Sequence, residues 1–239
     1  MKGVILAGGT GSRLLPLTKV TNKHLLPVGR LPMIYYPIKK LISAGIKEIL
    51  IVTGVEHMGD LVGLLGSGRE FGCSFTYKVQ DEAGGIAQAL ALAENFANGD
   101  LITVILGDNI FEDELKLFAT NFTKQKKGSR VLLKEVHDPE RFGVVELRAG
   151  KVVSIEEKPK KPKSHYAVSG IYFYDDQVFD IIRKLKPSRR GELEITDVNN
   201  VYLQKGQLYY DILSGWWSDA GTFDSLERST LLVEGKVNL

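Results

Sequence analysis

The chain has 239 residues, with 31 basic and 29 acidic side chains and a formal net charge of +2. Apolar residues make up 44% of it and charged residues 25%, a globular balance that excludes wholesale disorder. The charge is too balanced for a protein that coats nucleic acid, which needs a strong basic excess. The single cysteine, Cys73, cannot form an internal disulfide, so a reducing compartment is expected.

Neither a membrane span nor an export signal is expected from the apolar runs. The longest of them covers residues 101–106, far short of the ~20 residues that cross a bilayer. The apolar segment after Lys2 is too short for the core of a signal peptide. The sequence therefore predicts a cytoplasmic protein with no membrane or nucleic-acid partner.

In the first half of the chain, short apolar runs alternate with segments of helical periodicity. Strands are predicted at residues 3–7, 46–53, 73–80 and 101–106, and helices at 33–44, 57–65, 86–96 and 112–124. Ile34, Ile38 and Leu41 recur at helical spacing, and Gly45 is a typical helix end. Continuous β-branched runs are typical of strands buried on both faces. The order therefore predicts an α/β fold with a mostly parallel sheet.

After residue 128 the pattern changes to closely spaced strands. These are predicted at residues 130–136, 143–147, 152–156 and 167–174, followed by helices at 176–186 and 194–205, a strand at 207–213 and a last helix from Phe223. The clustered strands predict an antiparallel portion added to the first sheet. No repeat or low-complexity linker interrupts the chain, so one domain is predicted over 1–239, with a nucleotide-binding half at 1–128.

Glycines directly follow the first predicted strand, in the segment GGTGSR at residues 8–13. Such glycines let backbone N–H groups approach phosphate oxygens, and Arg13 adds the cation that a triphosphate requires. The segment lacks the Walker pattern and the third glycine of the dinucleotide fingerprint, which disfavours a nicotinamide-dependent oxidoreductase. From spacing alone, a tight turn with a surface arginine stays open.

Four other charged residues lie at predicted strand ends or turns. Lys23 follows Arg13 by ten residues and could reach the same phosphates. Asp108 follows the strand at 101–106, where ligands bind in open α/β sheets and where a carboxylate can hold Mg²⁺. Lys158 and Asp219 occupy similar turns. Each could equally be an ordinary surface lysine or turn aspartate.

Taken in order, these motifs resemble the sugar-phosphate nucleotidyltransferases over nearly the whole chain. The resemblance runs through LAGGTGSRLLPLT, KHLLPV, PMIYYPI, GDN, DPERFGVVE, EEKP, YAVSGIYFYD, GELEITDVN and WSDAGT. It implies a Rossmann-like nucleotidyltransferase fold, a mixed and mostly parallel sheet flanked by helices, with the sugar-binding half and final helix at 129–239. It also implies transfer of a thymidylyl group from dTTP to glucose 1-phosphate. The sugar phosphate would attack the α-phosphorus in line and expel pyrophosphate, without a covalent protein intermediate.

The resemblance implies a role for each residue that matches a family motif. The nucleotide-binding set is Leu6, Gly8, Gly9, Thr10, Gly11, Ser12, Arg13, Lys23, Gln80 and Gly85. The sugar-phosphate-binding set is Asn109, Gly143, Glu157, Lys158 and Val168. Asp108 and Asp219 would bind Mg²⁺, and catalysis would depend on Arg13, Lys23, Asp108 and Lys158.

Two alternatives to this activity stay open. UTP could replace dTTP, because an apolar pocket discriminates only modestly against one methyl group. A catalytically silent sugar-nucleotide sensor is the other, although the charged residues needed for chemistry are all present.

Ala220 and Ser218 are departures from the family pattern that remove no charge the chemistry needs, and two further departures bear on charge and on regulation. His24 stands where relatives more often carry glutamine, and its charge is expected to vary near pH 6–7. The chain also ends soon after the last predicted helix, whereas long-form members continue with a helical segment that helps form a regulatory nucleotide site and subunit contacts. We therefore expect no end-product inhibition through that second site. Relatives form homo-oligomers, and self-association of this chain stays open.

Overall fold

A computed structural model describes residues 1–236. Its strands are β1 (Lys2–Ala7), β2 (Pro27–Val28), β3 (Leu31–Pro32), β4 (Glu48–Gly54), β5 (Ser74–Gln80), β6 (Ile102–Leu106), β7 (Asn109–Phe111), β8 (Ser129–Glu135), β9 (Gly143–Arg148), β10 (Lys151–Glu157), β11 (Tyr166–Tyr174), β12 (Leu208–Ile212) and β13 (Trp217–Asp219). Its α-helices are α1 (Tyr35–Ser43), α2 (Met58–Leu65), α3 (Ile86–Ala91), α4 (Glu94–Ala97), α5 (Leu115–Gln125), α6 (Gln177–Ile182), α7 (Ile195–Gln204) and α8 (Phe223–Val233). No helix within residues 1–236 is long and apolar enough to cross a bilayer.

One mixed sheet runs through both halves of the chain. Its order is β10-β9-β11-β6-β1-β4-β5, and β8 and β12 extend it from β11. The strands of the first half pair in parallel, β1 with β4 and β6, and β4 with β5. β9, β10 and β11 pair antiparallel and join the first half through β6. The predicted α/β fold with an added antiparallel portion is confirmed.

Helices cover both faces of the sheet, which explains the continuous apolar runs of its central strands. In β1, Val4 and Leu6 face a core formed with α3, α6 and α7. Ile5 and Ala7 face the opposite core, formed with α1, α2 and α5. A strand covered on both faces has no solvent side, so its sequence shows no polar alternation.

Two predicted helices differ from the structure in length. The helix expected at 86–96 is divided into α3 and α4, because Leu92 and Ala93 donate their N–H groups three residues back, which tightens the turn. The helix expected at 176–186 ends at Ile182, and Pro187 cannot continue it. The two- and three-residue strands β2, β3, β7 and β13 were not predicted, since they are too short to show periodicity.

The topology concentrates loops beyond the carboxyl ends of β1 and β6. The chain proceeds from β1 to β4 and β5 on one side, and then returns to β6 on the other side of β1. Ligands bind at such a reversal of strand order in open α/β sheets. The glycine loop leaves β1 there and Asp108 leaves β6 there. The antiparallel pair of β7 and β13 brings Asp219 opposite Asn109.

Candidate active site

Two adjoining cavities open at this edge of the sheet. One, of about 270 Å³, is lined by seven of the predicted nucleotide-binding residues, namely Leu6, Gly8, Gly9, Arg13, Lys23, Gln80 and Gly85. The other, of about 200 Å³, is lined by all five predicted sugar-phosphate residues, Asn109, Gly143, Glu157, Lys158 and Val168, together with Asp219. Arg13 and Asp108 line both cavities. The structure thus brings most of the nucleotide-binding set and all of the sugar-phosphate set to one place, and Arg13, Asp108 and Glu192 are the charged residues that line both cavities.

The glycine loop is closely packed where it borders the first cavity. A Cβ atom on Gly8 would lie 2.8 Å from Oε1 of Gln80, so Gln80 contacts the loop backbone directly. Gly11 has a φ of +62°, and a Cβ there would also lie 2.8 Å from the side chain of Thr18. The space beside Gly8 and Gly11 therefore leaves no room for a side chain.

Three residues predicted from the family motif do not line either cavity. Thr10 and Ser12 are exposed, and Gly11 packs against the side chain of Thr18. Their assignment to nucleotide binding stays a prediction. Arg13 is also exposed, and no carboxylate lies within 4 Å of its guanidinium in the part of the chain that the structure describes. Arg13 is therefore available to an anionic ligand.

Lys23 and Asp108 form a close ion pair between the two cavities. Lys23 Nζ donates to Asp108 Oδ2 at 2.5 Å, and both side chains are largely buried. Burial raises the pKa of Asp108, but the charge of Lys23 and the hydrogen bonds it receives more than offset this and leave the pKa below its usual value. Asp108 is therefore an ionised carboxylate at any pH relevant to catalysis.

His24 lies buried beneath this pair and is a structural residue. Its Nδ1 is 2.6 Å from Asn22 Oδ1, and its ring occupies the space where a Cβ of Gly107 would be. Burial, and then the charge of Lys23, lower the pKa of His24 to about 3. The expectation that its charge varies near pH 6–7 was wrong, because the environment keeps the imidazole neutral.

Asp219 faces the second cavity and is held by a guanidinium. Arg141 Nη2 donates to both of its carboxylate oxygens, at 3.0 and 3.3 Å. Burial and the neighbouring charge of Asp108 raise the pKa of Asp219 to about 6, although Arg141 and Arg13 act in the opposite direction. Desolvation outweighs the ion pair here, so Asp219 keeps its proton more readily than an ordinary aspartate.

The sugar-phosphate side of the site is built around Glu157 and Lys158 at the end of β10. Thr196 Oγ1 donates to Glu157 Oε2 at 2.5 Å. The backbone of Lys158 is left-handed, with a φ of +43°, and its N–H donates to the carbonyl of Phe142 at 2.9 Å. Lys158 Nζ lies 3.9 Å from Glu157 Oε1, and its side chain is half exposed. A lysine held so loosely can still reorient toward a bound phosphate.

Asn109 organises the centre of the site from a fully buried position. Its Oδ1 accepts from the N–H of Gly170 at 2.9 Å and from Nε1 of Trp217 at 2.7 Å. Its Nδ2 donates to Asp108 Oδ1 at 3.0 Å. Asn109 lines the second cavity, but its polar atoms already have partners, so the geometry assigns it chiefly to orienting Asp108.

Several residues that line the second cavity were not predicted from the sequence. Arg190 contacts Glu194 at 2.7 Å and lies 3.5 Å from Glu157, so it brings another cation to the second cavity. Nothing in the local sequence distinguishes it from Arg189 beside it. Tyr172 also lines this cavity, and strand alternation could have found it, because it lies four residues after Val168 on the same face of β11.

The donor set suits a divalent metal ion held jointly with phosphate. Asp108 and Asp219 both line the second cavity, and a Cβ on Gly221 would lie 3.5 Å from Asp108 Oδ2 and 3.2 Å from the carbonyl of Asp219. Mg²⁺ prefers one or two carboxylates completed by phosphate oxygens and water. No cluster of three or more His, Cys, Asp or Glu ligands occurs within residues 1–236.

A third, larger cavity lies beside these two. It measures about 780 Å³ and is separated from the second cavity by Arg141 and Asp219, which line both. The glycine loop, Lys23, Asp108 and Lys158 do not line it. We therefore place the active site in the two smaller cavities.

Comparisons with known proteins show the family of this chain. Residues 2–235 match the family model described as nucleotidyl transferase. A glucose-1-phosphate thymidylyltransferase of Neisseria meningitidis serogroup A is 45% identical over 249 residues, an alignment that covers 100% of this chain and 84% of that protein.

Solved structures give the same result. A crystal structure described as a glucose-1-phosphate thymidylyltransferase from Bacillus anthracis, in complex with sucrose, is 62% identical, has a TM-score of 0.95, and covers 100% of this chain and 97% of that one. A UDP-glucose pyrophosphorylase complexed with UDP-glucose is 26% identical, with a TM-score of 0.87 and 99% of each chain covered. The chain is thus an enzyme of the nucleotidyl transferase family, as the resemblance of its motifs predicted.

Proposed function

We propose that this enzyme transfers a thymidylyl group from dTTP to glucose 1-phosphate, forming dTDP-glucose and releasing pyrophosphate. The observation that carries the proposal is the pair of adjoining cavities that share Arg13 and Asp108. One substrate would occupy each cavity, and the reacting phosphates would meet at the shared side chains. The names of the relatives from N. meningitidis and B. anthracis, at 45% and 62% identity, support this choice of substrates.

The nucleotide would occupy the first cavity, in the first half of the single predicted domain. Gln80 offers an amide for the edge of a pyrimidine, and Leu6, Ile86 and Ala89 provide apolar walls. The triphosphate would lie along the backbone of Gly8 and Gly9. Arg13 and Lys23 would balance the charge that develops on the departing pyrophosphate.

The sugar phosphate would occupy the second cavity, in the half that begins at residue 129. Glu157 can accept hydrogen bonds from sugar hydroxyl groups, and Tyr172 lines the same cavity. Lys158 and Arg190 supply positive charge for the phosphate. Trp217 and Val168 provide apolar surface for the ring.

The chemical task is to bring two anions within about 3 Å of each other at the reacting atoms. Arg13, Lys23 and Lys158 would offset their mutual repulsion and orient the attacking oxygen in line with the leaving group. Mg²⁺ held by Asp108 and Asp219 would supply further neutralisation of the phosphate charge when bound. No side chain is required as a nucleophile, so positioning and electrostatic stabilisation account for catalysis.

A pyrophosphate-release assay tests this assignment. The enzyme would be supplied with dTTP or UTP, each with glucose 1-phosphate or other sugar 1-phosphates, and with or without Mg²⁺. We expect the highest kcat/KM with dTTP, glucose 1-phosphate and Mg²⁺. A higher kcat/KM with UTP would favour the activity in the name of the structural neighbour that binds UDP-glucose. No pyrophosphate from any combination would instead favour a sensor.

Two variants make the assay specific to the site. D108N removes the ionised carboxylate between the cavities, and we expect at least a ~10²-fold loss of Mg²⁺-dependent kcat. D60N removes an exposed carboxylate from α2 and serves as the matched control, with activity unchanged. Full activity of D108N would contradict the metal role.

A further inference from the structure

Arg141 is the cation that holds Asp219, the second of the two predicted metal ligands. It ends the short 3-10 turn Pro139–Arg141 and lies over the ring of Phe142, with its guanidinium carbon 5.0 Å from the ring centroid. Nη1 donates to Asp138 Oδ2 at 2.6 Å, and Nη2 donates to both oxygens of Asp219. The guanidinium therefore bridges an outer and an inner carboxylate.

The two carboxylates differ in their surroundings. The side chain of Asp138 is 45% exposed and faces the large cavity, whereas that of Asp219 is 18% exposed and faces the second cavity beside Asp108. Asp108 already has Lys23 as its partner. Arg141 is the corresponding partner of Asp219, because a buried carboxylate next to another one needs a compensating charge.

The same contact covers the oxygens of Asp219 that a metal ion would require. Mg²⁺ binds carboxylate oxygens directly, and both oxygens of Asp219 already accept a hydrogen bond from the positively charged Arg141 Nη2, at 3.3 and 3.0 Å. The arginine and the ion therefore compete for one carboxylate. The second hydrogen bond of Arg141, to Asp138, allows it to leave Asp219 without losing every partner.

We propose that Arg141 is a positioning residue that stands in for the metal ion. It holds Asp219 oriented and neutralised in the ligand-free enzyme and yields that carboxylate to the ion that arrives with the nucleotide, while its bond to Asp138 retains it nearby. The inference rests on the proposed function, which places Mg²⁺ between Asp108 and Asp219. It predicts that free metal ions bind weakly because an internal cation already occupies their ligand.

The proposal makes predictions of opposite sign for the two partners of the bridge. R141Q removes the competing cation, so a free divalent ion should bind more tightly. D138N removes the outer anchor, so Arg141 should remain on Asp219 and a free divalent ion should bind more weakly. If Arg141 only maintained the shape of the site, both substitutions would weaken binding, since both would displace Asp219.

Mn²⁺ alone is a suitable probe, measured by the electron paramagnetic resonance signal of the free ion with no nucleotide or sugar present. Relative to the wild-type chain, we expect about fivefold tighter binding for R141Q and weaker binding for D138N. R148Q is the matched control, because Arg148 pairs with Glu146 on an exposed hairpin away from the site, and it should bind Mn²⁺ as the wild type does. Circular dichroism would verify that each variant is folded.

The outcomes separate the inference from the proposed function. If D108N and D219N leave Mn²⁺ binding unchanged, Asp108 and Asp219 do not hold the metal ion, and that part of the proposed function is overturned. If D108N and D219N weaken binding but R141Q does not tighten it, only the role of Arg141 is overturned. Should R141Q fail to fold, R141M takes its place, and tighter Mn²⁺ binding is expected of it, whereas weaker binding would overturn the role of Arg141. Tighter binding by D138N would overturn that role by itself.

Discussion

At the scale of single residues, the site is a set of charges that are mostly paired before any substrate arrives. Lys23 pairs with Asp108, Arg141 with Asp219 and Arg190 with Glu194. Burying an unpaired charge is costly, so these pairs are what permits so many ionised groups in one cleft. Substrate phosphates and a metal ion would exchange partners within the set.

Lys158 should contribute mainly to the sugar-phosphate side. We expect K158A to lower kcat/KM for glucose 1-phosphate about 10²-fold, because it removes a cation from the attacking phosphate, and to change the KM for dTTP little. Steady-state kinetics with each substrate varied in turn would measure this. K160A, an exposed lysine two residues along the chain, is the control. Kinetics of K158A equal to those of K160A would remove Lys158 from the site.

Asp219 should make the stability of the protein depend on pH. Its pKa of about 6 is higher than the ordinary value of 3.8, so the folded state binds its proton more tightly than the unfolded state. The stability it contributes is fully present below pH 3.8 and is lost as the pH rises through about 6. Asparagine keeps the shape of the side chain without the charge.

We therefore expect D219N to be more stable than the wild-type chain at pH 7.5, by up to about 3 kcal/mol, with the difference disappearing near pH 3.5. Urea unfolding at both pH values would measure it. A variant less stable than the wild type at pH 7.5 would show that the bond to Arg141 outweighs the burial of the charge.

At the scale of elements, the site depends on a tight approach of β11 to β7. The N–H of Gly170, in β11, donates to Asn109, and a Cβ on Gly170 would lie 2.6 to 2.8 Å from the amide atoms of that side chain. The side chain of Asn109 is short and buried and makes three hydrogen bonds, so moving it away would cost those bonds. Asp108, to which its Nδ2 donates, would be displaced with it.

G170A should therefore lower activity through the carboxylate that Asn109 orients. We expect at least a tenfold loss of kcat/KM and about 1–3 kcal/mol of destabilisation. G63A is the control, since a Cβ on Gly63 in α2 meets nothing within 4 Å; it should leave activity unchanged and raise stability by up to about 1 kcal/mol. Normal kinetics in G170A would show that Asn109 is free to shift without moving Asp108.

At the scale of the whole molecule, the sheet order explains why the two cavities adjoin. β6 pairs with β1 of the parallel half on one side and with β11 of the antiparallel portion on the other. The residue that leaves its carboxyl end, Asp108, therefore lines both cavities. The neighbouring cavity of about 780 Å³ is larger than either of these, but the glycine loop and Asp108 do not line it.

The sequence by itself determined the alternating elements of the first half, the added strands of the second half and the candidate residues at strand ends. A strand buried on both faces is a continuous apolar run, and a chain reversal requires glycine. Each of these signals lies within a few neighbouring residues, so the sequence shows it directly. Arg13, Lys23, Asp108, Lys158 and Asp219 could be named because each lies in a recognisable motif. All five line the two cavities.

Only the tertiary structure decided which charges meet. Arg141 and Asp219 are 78 positions apart, and Lys23 and Asp108 are 85 apart, so no local pattern reports their contacts. The neutral state of His24 was also invisible, because its pKa depends on burial beneath Gly107 and on the charge of Lys23. Electrostatic interactions act through space between segments that are distant in the sequence. The periodicity of apolar residues reports only which face of a single helix or strand is buried.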